Sequence, residues 1–261
     1  MSRLPILLSS MMNTVPEDSI NYVLAEAVLK KIYKNDFKDV SVISLAKECN
    51  VSKASVSRFF RTLGYDDYMD FKLDLLYMQR NMKNEWRPNT FYPNMSTANI
   101  KESYLQAVTN SIHQLEKNIE EKDLRRVAKY INEYQHVVLM GHIQSGYTAL
   151  AMQQYIQSSD KRVEVILNPT EQKEYFLKNE EAAFVIIFSS GGHFFDRFTP
   201  NWNLQVSSKI RICVITTNSQ IKEIPGVDLF INSHTTEHFA AGNISMEFIA
   251  KLIILYYKNT K

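Results

Sequence analysis

The sequence predicts an all-α helix-turn-helix domain over residues 1–81, a linker at 82–97, and an α/β domain over 98–261 with a parallel five-stranded sheet flanked by helices. Near position 50, two short amphipathic helical patterns meet across about three residues. "NEWRPNTFYPNMST" then interrupts the chain with two prolines and no hydrophobic period. Beyond position 135 the period changes to short, nearly continuous β-branched runs, the mark of strands covered on both faces.

The first helix is expected from about Glu17 to Tyr33, with Pro16 near its first turn and Ile20, Val23, Leu24, Ala27, Val28 and Ile32 along one stripe. "SVISLAKECN" reads as a shorter helix with Ile43, Leu45, Ala46 and Cys49 inward. The next helix runs from Lys53 to Leu63: Ser52 suits its N-cap, no Gly or Pro interrupts it, and Gly64 sits where a left-handed cap falls. At about 100° per residue, Val56, Phe59, Phe60 and Leu63 gather on one face and Ala54, Ser57, Arg58 and Arg61 on the other. That outer face carries no carboxylate, unlike a solvated face that mixes Glu with Lys.

Two helices joined this tightly place the second in the DNA major groove, where its N-terminal residues reach base edges. The candidate DNA contacts are Ser52, Lys53, Ser55, Ser57, Arg58 and Arg61. Arg58 and Ser57 are assigned to base edges, since Arg pairs bidentately with guanine, and Lys53, Ser55 and Arg61 to phosphates.

After the linker, a long helix carries Tyr104, Val108, Ile112, Leu115 and Ile119, and another spans Lys122 to Asn132. "HVVLMGH", "RVEVILN", "AAFVIIFSSGG", "IRICVITTN" and "VDLFINS" are the five strand runs. Asn243 to Tyr257 is apolar on most sides, as expected of a helix buried against the sheet or a second subunit. Ligands of open α/β sheets bind beyond the carboxyl ends of the strands. One such end is Gly141, Gln144 and Ser145, where a glycine turn opens a helix and presents free N–H groups to an anion. Another is Ser189, Ser190 and Gly191, hydroxyls beside glycine-exposed amides.

Composition limits the alternatives. The formal charge of +2 excludes a broadly basic nucleic-acid coat, but Lys47, Lys53, Arg58 and Arg61 against Glu48 leave a local positive excess. Cys49 and Cys213 sit in apolar patterns and read as reduced core thiols, which suits the cytoplasm. No metal spacing is visible, and neither metal nor cofactor is expected. "MSRLPILLSSMM" has only a short apolar run broken by Pro5, so no signal peptide is expected, and no segment reaches the roughly 20 apolar residues of a membrane span.

The run "SVISLAKECNVSKASVSRFFRTLGYDDYMDFKLDL" resembles the N-terminal helix-turn-helix of the RpiR family of bacterial sugar-metabolism regulators, in which a serine-rich recognition helix ends in Leu-Gly-aromatic before a Phe-Lys segment. Here these are Leu63, Gly64, Tyr65, Phe71 and Lys72. The strand ends "VVLMGHIQSGYTALAMQQYI", "FVIIFSSGGHFFD" and "ITTN" likewise resemble the sugar isomerase (SIS) fold that such regulators carry second. The resemblance implies that Ser145, Ser190 and Thr216 or Thr217 contact a sugar phosphate, with Gly141 and Gly191 permitting close approach. It departs from the family at Ile143, which replaces the middle glycine of Gly-x-Gly-x-Ser, and at Phe188 and His193, which occupy the outer positions of Ser-x-Ser-Gly-x-Thr.

The expectation is a cytoplasmic, non-enzymatic transcription regulator of carbohydrate metabolism, a homodimer or homotetramer that binds a double-stranded operator under control of a sugar phosphate. A single three-turn helix reads few base pairs, which is the physical reason to expect a two-fold pair. The rivals are a phosphosugar isomerase, for which His193, Glu174 and Glu237 are the candidate bases, and a regulator whose second domain only dimerises.

Overall fold

The computed structural model describes residues 4–85, 99–157, 161–190, 194, 206–218, 221, 224–235 and 238–259. The chain divides into two compact units, Met1–Thr90 and Phe91–Lys261.

The first unit is helical: α1 (Leu4–Met12), α2 (Ile20–Tyr33), α3 (Val42–Glu48), α4 (Lys53–Thr62) and α5 (Tyr68–Glu85). The sequence reading did not assign α1. Its Leu4, Leu8 and Met11 recur at helical spacing and are buried, and α1 packs on α2. α2 starts three residues later than the pattern suggests, because Ser19 accepts a hydrogen bond from the Tyr22 N–H and caps it. Ile20 and Ile43 are exposed rather than inward; in α3 the core is met by Leu45, with Val42, Ala46 and Cys49 partly buried beside it. A reciprocal Ser41–Ser44 box caps α3. The turn into α4 depends on Asn50 at φ +52°, a left-handed position that Asn tolerates, while the Val51 N–H returns to the Ala46 carbonyl.

α5 continues through Glu85, into the stretch read as linker; residues 86–97 of that stretch lie outside the described residues. Of the Leu-Gly-Tyr and Phe-Lys residues, Leu63 and Phe71 are core and Tyr65 packs against it. Phe71 stacks on Phe60 with ring centroids 4.3 Å apart, and Tyr65 meets Phe71 edge-on at 5.4 Å. The Tyr65 hydroxyl donates to Asp74 at 2.6 Å, and burial raises its pKa well above the ordinary phenol value. Gly64, at φ +96°, supplies the left-handed residue that ends α4.

The second unit comprises α6 (Ile100–Asn118), α7 (Glu121–Glu133), β1 (His136–Met140), α8 (Gln144–Ile156), β2 (Arg162–Ile166), α9 (Pro169–Lys178), β3 (Ala183–Phe188), β4 (Ile210–Asn218), β5 (Leu229–Thr235) and α10 (His238–Asn259). The sheet order is β2-β1-β3-β4-β5, with every neighbouring pair parallel. Alternate side chains divide between two cores, as the pleat requires. Val137, Leu139, Phe184, Ile186, Cys213 and Ile215 face a cluster completed by α6, α7, α8 and α10. Val138, Met140, Val185, Ile187, Ile212 and Val214 face a second cluster that includes Phe176 of α9.

Both thiols are free, Cys213 fully buried and Cys49 partly so. Burial raises both pKa values, so neither is a poised nucleophile. Lys161 is buried, and its ammonium donates to the Ile131, Asn132 and Tyr134 carbonyls at the C-terminus of α7, where a positive charge complements the helix dipole. Among the described residues, no helix is long and apolar enough to cross a membrane.

Candidate functional site

In the first unit, α4 turns Val56, Phe59 and Phe60 into the core and leaves Lys53, Ala54, Arg58 and Arg61 exposed. Ser52 is exposed at the N-cap, where its Oγ accepts the Ser55 N–H at 3.0 Å and lies 2.9 Å from the Ser55 Oγ. Ser55 itself is only 8% exposed. Its hydroxyl, expected at a phosphate, accepts from Arg58 Nη2 at 3.3 Å. Ser55 thus holds Arg58, and the two do not contribute equally to the outer face. Ser57 is half-buried and donates its proton to the Lys53 carbonyl at 3.1 Å, which leaves its lone pairs for an amino donor such as that of adenine or cytosine. Salt bridges from the Lys31 ammonium to Asp39, at 3.0 Å, and to Glu48, at 2.8 Å, tie α2 to the start and end of α3 beneath this helix pair.

In the second unit, the chain leaves β1 through Gly141, which is buried. A Cβ there would lie 2.5 Å from the Ser145 carbonyl oxygen and 2.8 Å from the Gly146 nitrogen, so only glycine lets α8 begin this close to the strand. Ile143 occupies the N-cap position at φ +53°, ψ −118°, backbone that glycine adopts freely and a β-branched residue adopts only under strain. It gives the helix no side-chain cap; the Gly146 N–H donates to the Ile143 carbonyl at 3.0 Å, and the amides before it at the helix start suit an acceptor. Gln144 is exposed at that turn and Ser145 is buried.

The two predicted turns meet. The Ser190 N–H donates to Ser145 Oγ at 3.2 Å, and Ser190 Oγ lies 3.1 Å from Thr217 Oγ1. Thr217 also donates to the Ser190 carbonyl at 3.1 Å. Thr216 is fully buried, donates to that same carbonyl at 3.4 Å and accepts from the Asn218 N–H. Between the two threonines, Thr217 is therefore the one whose hydroxyl joins Ser190. Ser189 is buried and accepts from the Phe194 N–H at 3.3 Å, so it shapes the turn. Gly191 and His193 lie outside the described residues.

Gln172 was missed in the sequence. It is buried, and its amide donates to the Gly141 carbonyl at 2.9 Å and to the Ile166 carbonyl at 2.7 Å, bracing the ends of β1 and β2 together. No local signal marks it, because its partner at Gly141 lies 31 positions away. Of the candidate isomerase bases, Glu174 is half-exposed in an ion pair with Lys178 at 2.6 Å, an ordinary solvated helix pair, and Glu237 lies outside the described residues. Among the described residues no group of acidic, His and Cys side chains could hold a metal ion.

Residues 21–80 match the helix-turn-helix domain of the rpiR family. The chain is 31% identical over 112 residues to an uncharacterized HTH-type transcriptional regulator in the aarA 3' region of Providencia stuartii, covering 41% of this chain and 38% of that protein. A second HTH-type transcriptional regulator, from Haemophilus influenzae, is 28% identical over 112 residues, covering 42% of this chain and 39% of the relative. The chain thus spans about two fifths of the length of the curated relatives it matches. Across nearly the whole chain the fold is similar to that of the Vibrio vulnificus NanR protein complexed with ManNAc-6P, with a TM-score of 0.50 at 16% identity, covering 98% of this chain and 92% of that one.

Proposed function

We propose that this chain, whose residues 21–80 match the helix-turn-helix domain of the rpiR family, is a cytoplasmic transcription regulator of carbohydrate metabolism that binds operator DNA through α4 and senses a sugar phosphate in its α/β unit. The observation that carries this reading is the outer face of α4. Lys53, Arg58 and Arg61 are exposed, no carboxylate stands between Lys53 and Leu63, and Ser55 holds Arg58 from within. Arg58 and Ser57 read base edges, and Ser52, Lys53 and Arg61 position the helix on phosphates. Two copies reading two half-sites supply the affinity that one three-turn helix lacks.

The effector site is the meeting of the two turns: the uncapped start of α8 at Gln144 and Ser145, with Ser190 and Thr217 opposite. A phosphate there accepts from the first-turn N–H groups and the hydroxyls, while Gly141 keeps the backbone close. The NanR likeness, in a complex with ManNAc-6P, supports a phosphorylated sugar as the class of ligand. The effector regulates only if it binds the DNA-competent and incompetent arrangements unequally.

A second reading is favoured by one observation: Ser145, Ser190 and Thr217 hydrogen-bond to one another, and Ile143 strains a turn that glycine would relax. In that reading the α/β unit dimerises without sensing. Fluorescence anisotropy on DNA from upstream of the protein's own gene, at about physiological salt with nonspecific competitor, followed by a panel of sugar phosphates, separates the two. Competitor-resistant binding shifted by one sugar phosphate supports the sensor, and binding that none shifts supports the dimerisation-only reading. Absence of specific binding defeats both.

A further inference from the structure

We infer that His234, at the carboxyl end of β5, selects the sugar of the effector: resting on the effector site proposed above, its imidazole hydrogen-bonds a hydroxyl or amide of the sugar while the two turns hold the phosphate.

The ladder between β4 and β5 is irregular at one place. Thr216 pairs with Asn232 and Asn218 pairs with Thr235, so Ser233 and His234 together stand opposite Thr217. Such a bulge is rare between parallel strands, and beside a binding site it re-aims a side chain. Here it falls opposite the hydroxyl that joins Ser190. His234 also has φ +50°, left-handed backbone that costs energy unless the surroundings impose it. Asn232 imposes it. Its buried side chain accepts the His234 N–H at 2.9 Å and donates to the Asn218 and Ile221 carbonyls at 2.8 and 3.1 Å, which clamps the ends of both strands. Ser233 is fully buried, and its carbonyl accepts from the Asn118 amide at 2.8 Å. Between these fixed neighbours, His234 is exposed.

Its position decides what the imidazole meets. Ligands of open α/β sheets lie beyond the carboxyl ends of the strands. The phosphate site runs from the start of α8, after β1, to Ser190 after β3 and Thr217 on β4, and β5 is the next strand in the sheet. At about 4.8 Å per strand, β5 stands roughly 10 Å from β3, beyond the phosphate and level with a sugar that continues from it. The turns offer amides and neutral hydroxyls, whereas an imidazole presents one donor and one acceptor on a longer arm, which suits sugar hydroxyls and acetamido groups. His142, the other imidazole at the described strand ends, is half-buried with its Nδ1 3.3 Å from the Leu167 carbonyl, on the β2 side of the site.

Calorimetric titrations of the full chain with inorganic phosphate, glucose 6-phosphate and ManNAc-6P test this. Wild type is expected to bind one of the sugar phosphates more tightly than inorganic phosphate. His234→Gly removes the ring and accepts the left-handed backbone, so its urea midpoint is expected to stay at or above that of wild type. Its affinity for that sugar phosphate should fall about tenfold, and its affinity for inorganic phosphate should not change. Ser190→Ala, by contrast, should weaken both ligands, and His234→Gln, which returns a donor and an acceptor, should recover part of the loss. A His234→Gly variant with wild-type affinity for the sugar phosphate overturns the inference. So does one that loses inorganic phosphate to the same extent, or a wild type that prefers neither sugar phosphate to inorganic phosphate. Failure of the effector reading looks different: wild type then binds none of the three ligands, and the role of His234 falls with it.

Discussion

The Arg58 guanidinium donates to Ser55 Oγ at 3.3 Å, and Ser55 in turn takes part in the N-cap of its own helix through Ser52. A long, flexible side chain at the exposed face of α4 is thereby held to a rigid, buried hydroxyl. Arg58→Ala is expected to weaken specific operator binding by about 1–3 kcal/mol without changing self-association. Ser55→Ala should lose less, because the guanidinium stays present but unheld. Anisotropy titrations at two salt concentrations check both. A salt slope unchanged in Arg58→Ala marks a base contact, whereas a slope reduced by about one reassigns it to a phosphate.

At the effector site, Ser190→Ala removes the hydroxyl shared with Thr217 and is expected to reduce sugar-phosphate affinity by about 1–2 kcal/mol while leaving DNA binding in the absence of effector intact. Ser189→Ala should cost stability more than affinity, because its hydroxyl serves the Phe194 amide. Calorimetric titration of the effector found by anisotropy checks this. Equal affinities for wild type and Ser190→Ala would remove Ser190 from the site.

The β1–α8 turn separates space from strain. Gly141→Ala places a methyl 2.5 Å from a backbone oxygen and is expected to destabilise the α/β unit by about 2–3 kcal/mol. Ile143→Gly relaxes the φ +53° backbone and, after the entropy of the added glycine, should stabilise by about 1 kcal/mol. Ile143→Ala keeps the strain and loses the side chain, so it should destabilise. Urea unfolding of the three variants checks the signs.

Lys31 contributes a pH-dependent share of stability. The hydrogen bond to Glu48 is the largest cause of its raised pKa, burial opposes it, and Asp39 adds to it. The charged form is favoured in the folded state, so the contribution is complete below the ordinary value of 10.5 and is lost as pH rises through the higher folded value. Lys31→Met should cost about 1–2 kcal/mol near neutrality, kept modest because both carboxylates are half-exposed. The difference between wild type and variant should stay level up to about pH 10 and shrink above it, as read from urea midpoints across that range.

Much of the fold was written locally. The three helices of the first unit that sequence reading assigned, the turn at Asn50 and the five strands each carry their own period, cap or turn residue, and those signals act within a few positions of the backbone they shape. α1 escaped because Pro5 and a short apolar run read as a terminus, and its helix is secured by packing on α2. Ile20 and Ile43 were placed inward because periodicity fixes a stripe only to within a residue or so, and the neighbouring helices decide which edge of it is covered.

By itself, the sequence determined the helix pair with its basic, acid-free face, the parallel sheet, and the two glycine- and serine-bearing turns at its strand ends. Only the tertiary structure decided that Ser55 serves Arg58 rather than solvent, that Ser145 meets Ser190 and Thr217, and that Gln172 braces Gly141. The division has a physical cause. Propensity, capping and periodicity are properties of neighbouring residues, whereas the partner of a side-chain hydrogen bond depends on packing that brings together positions tens of residues apart.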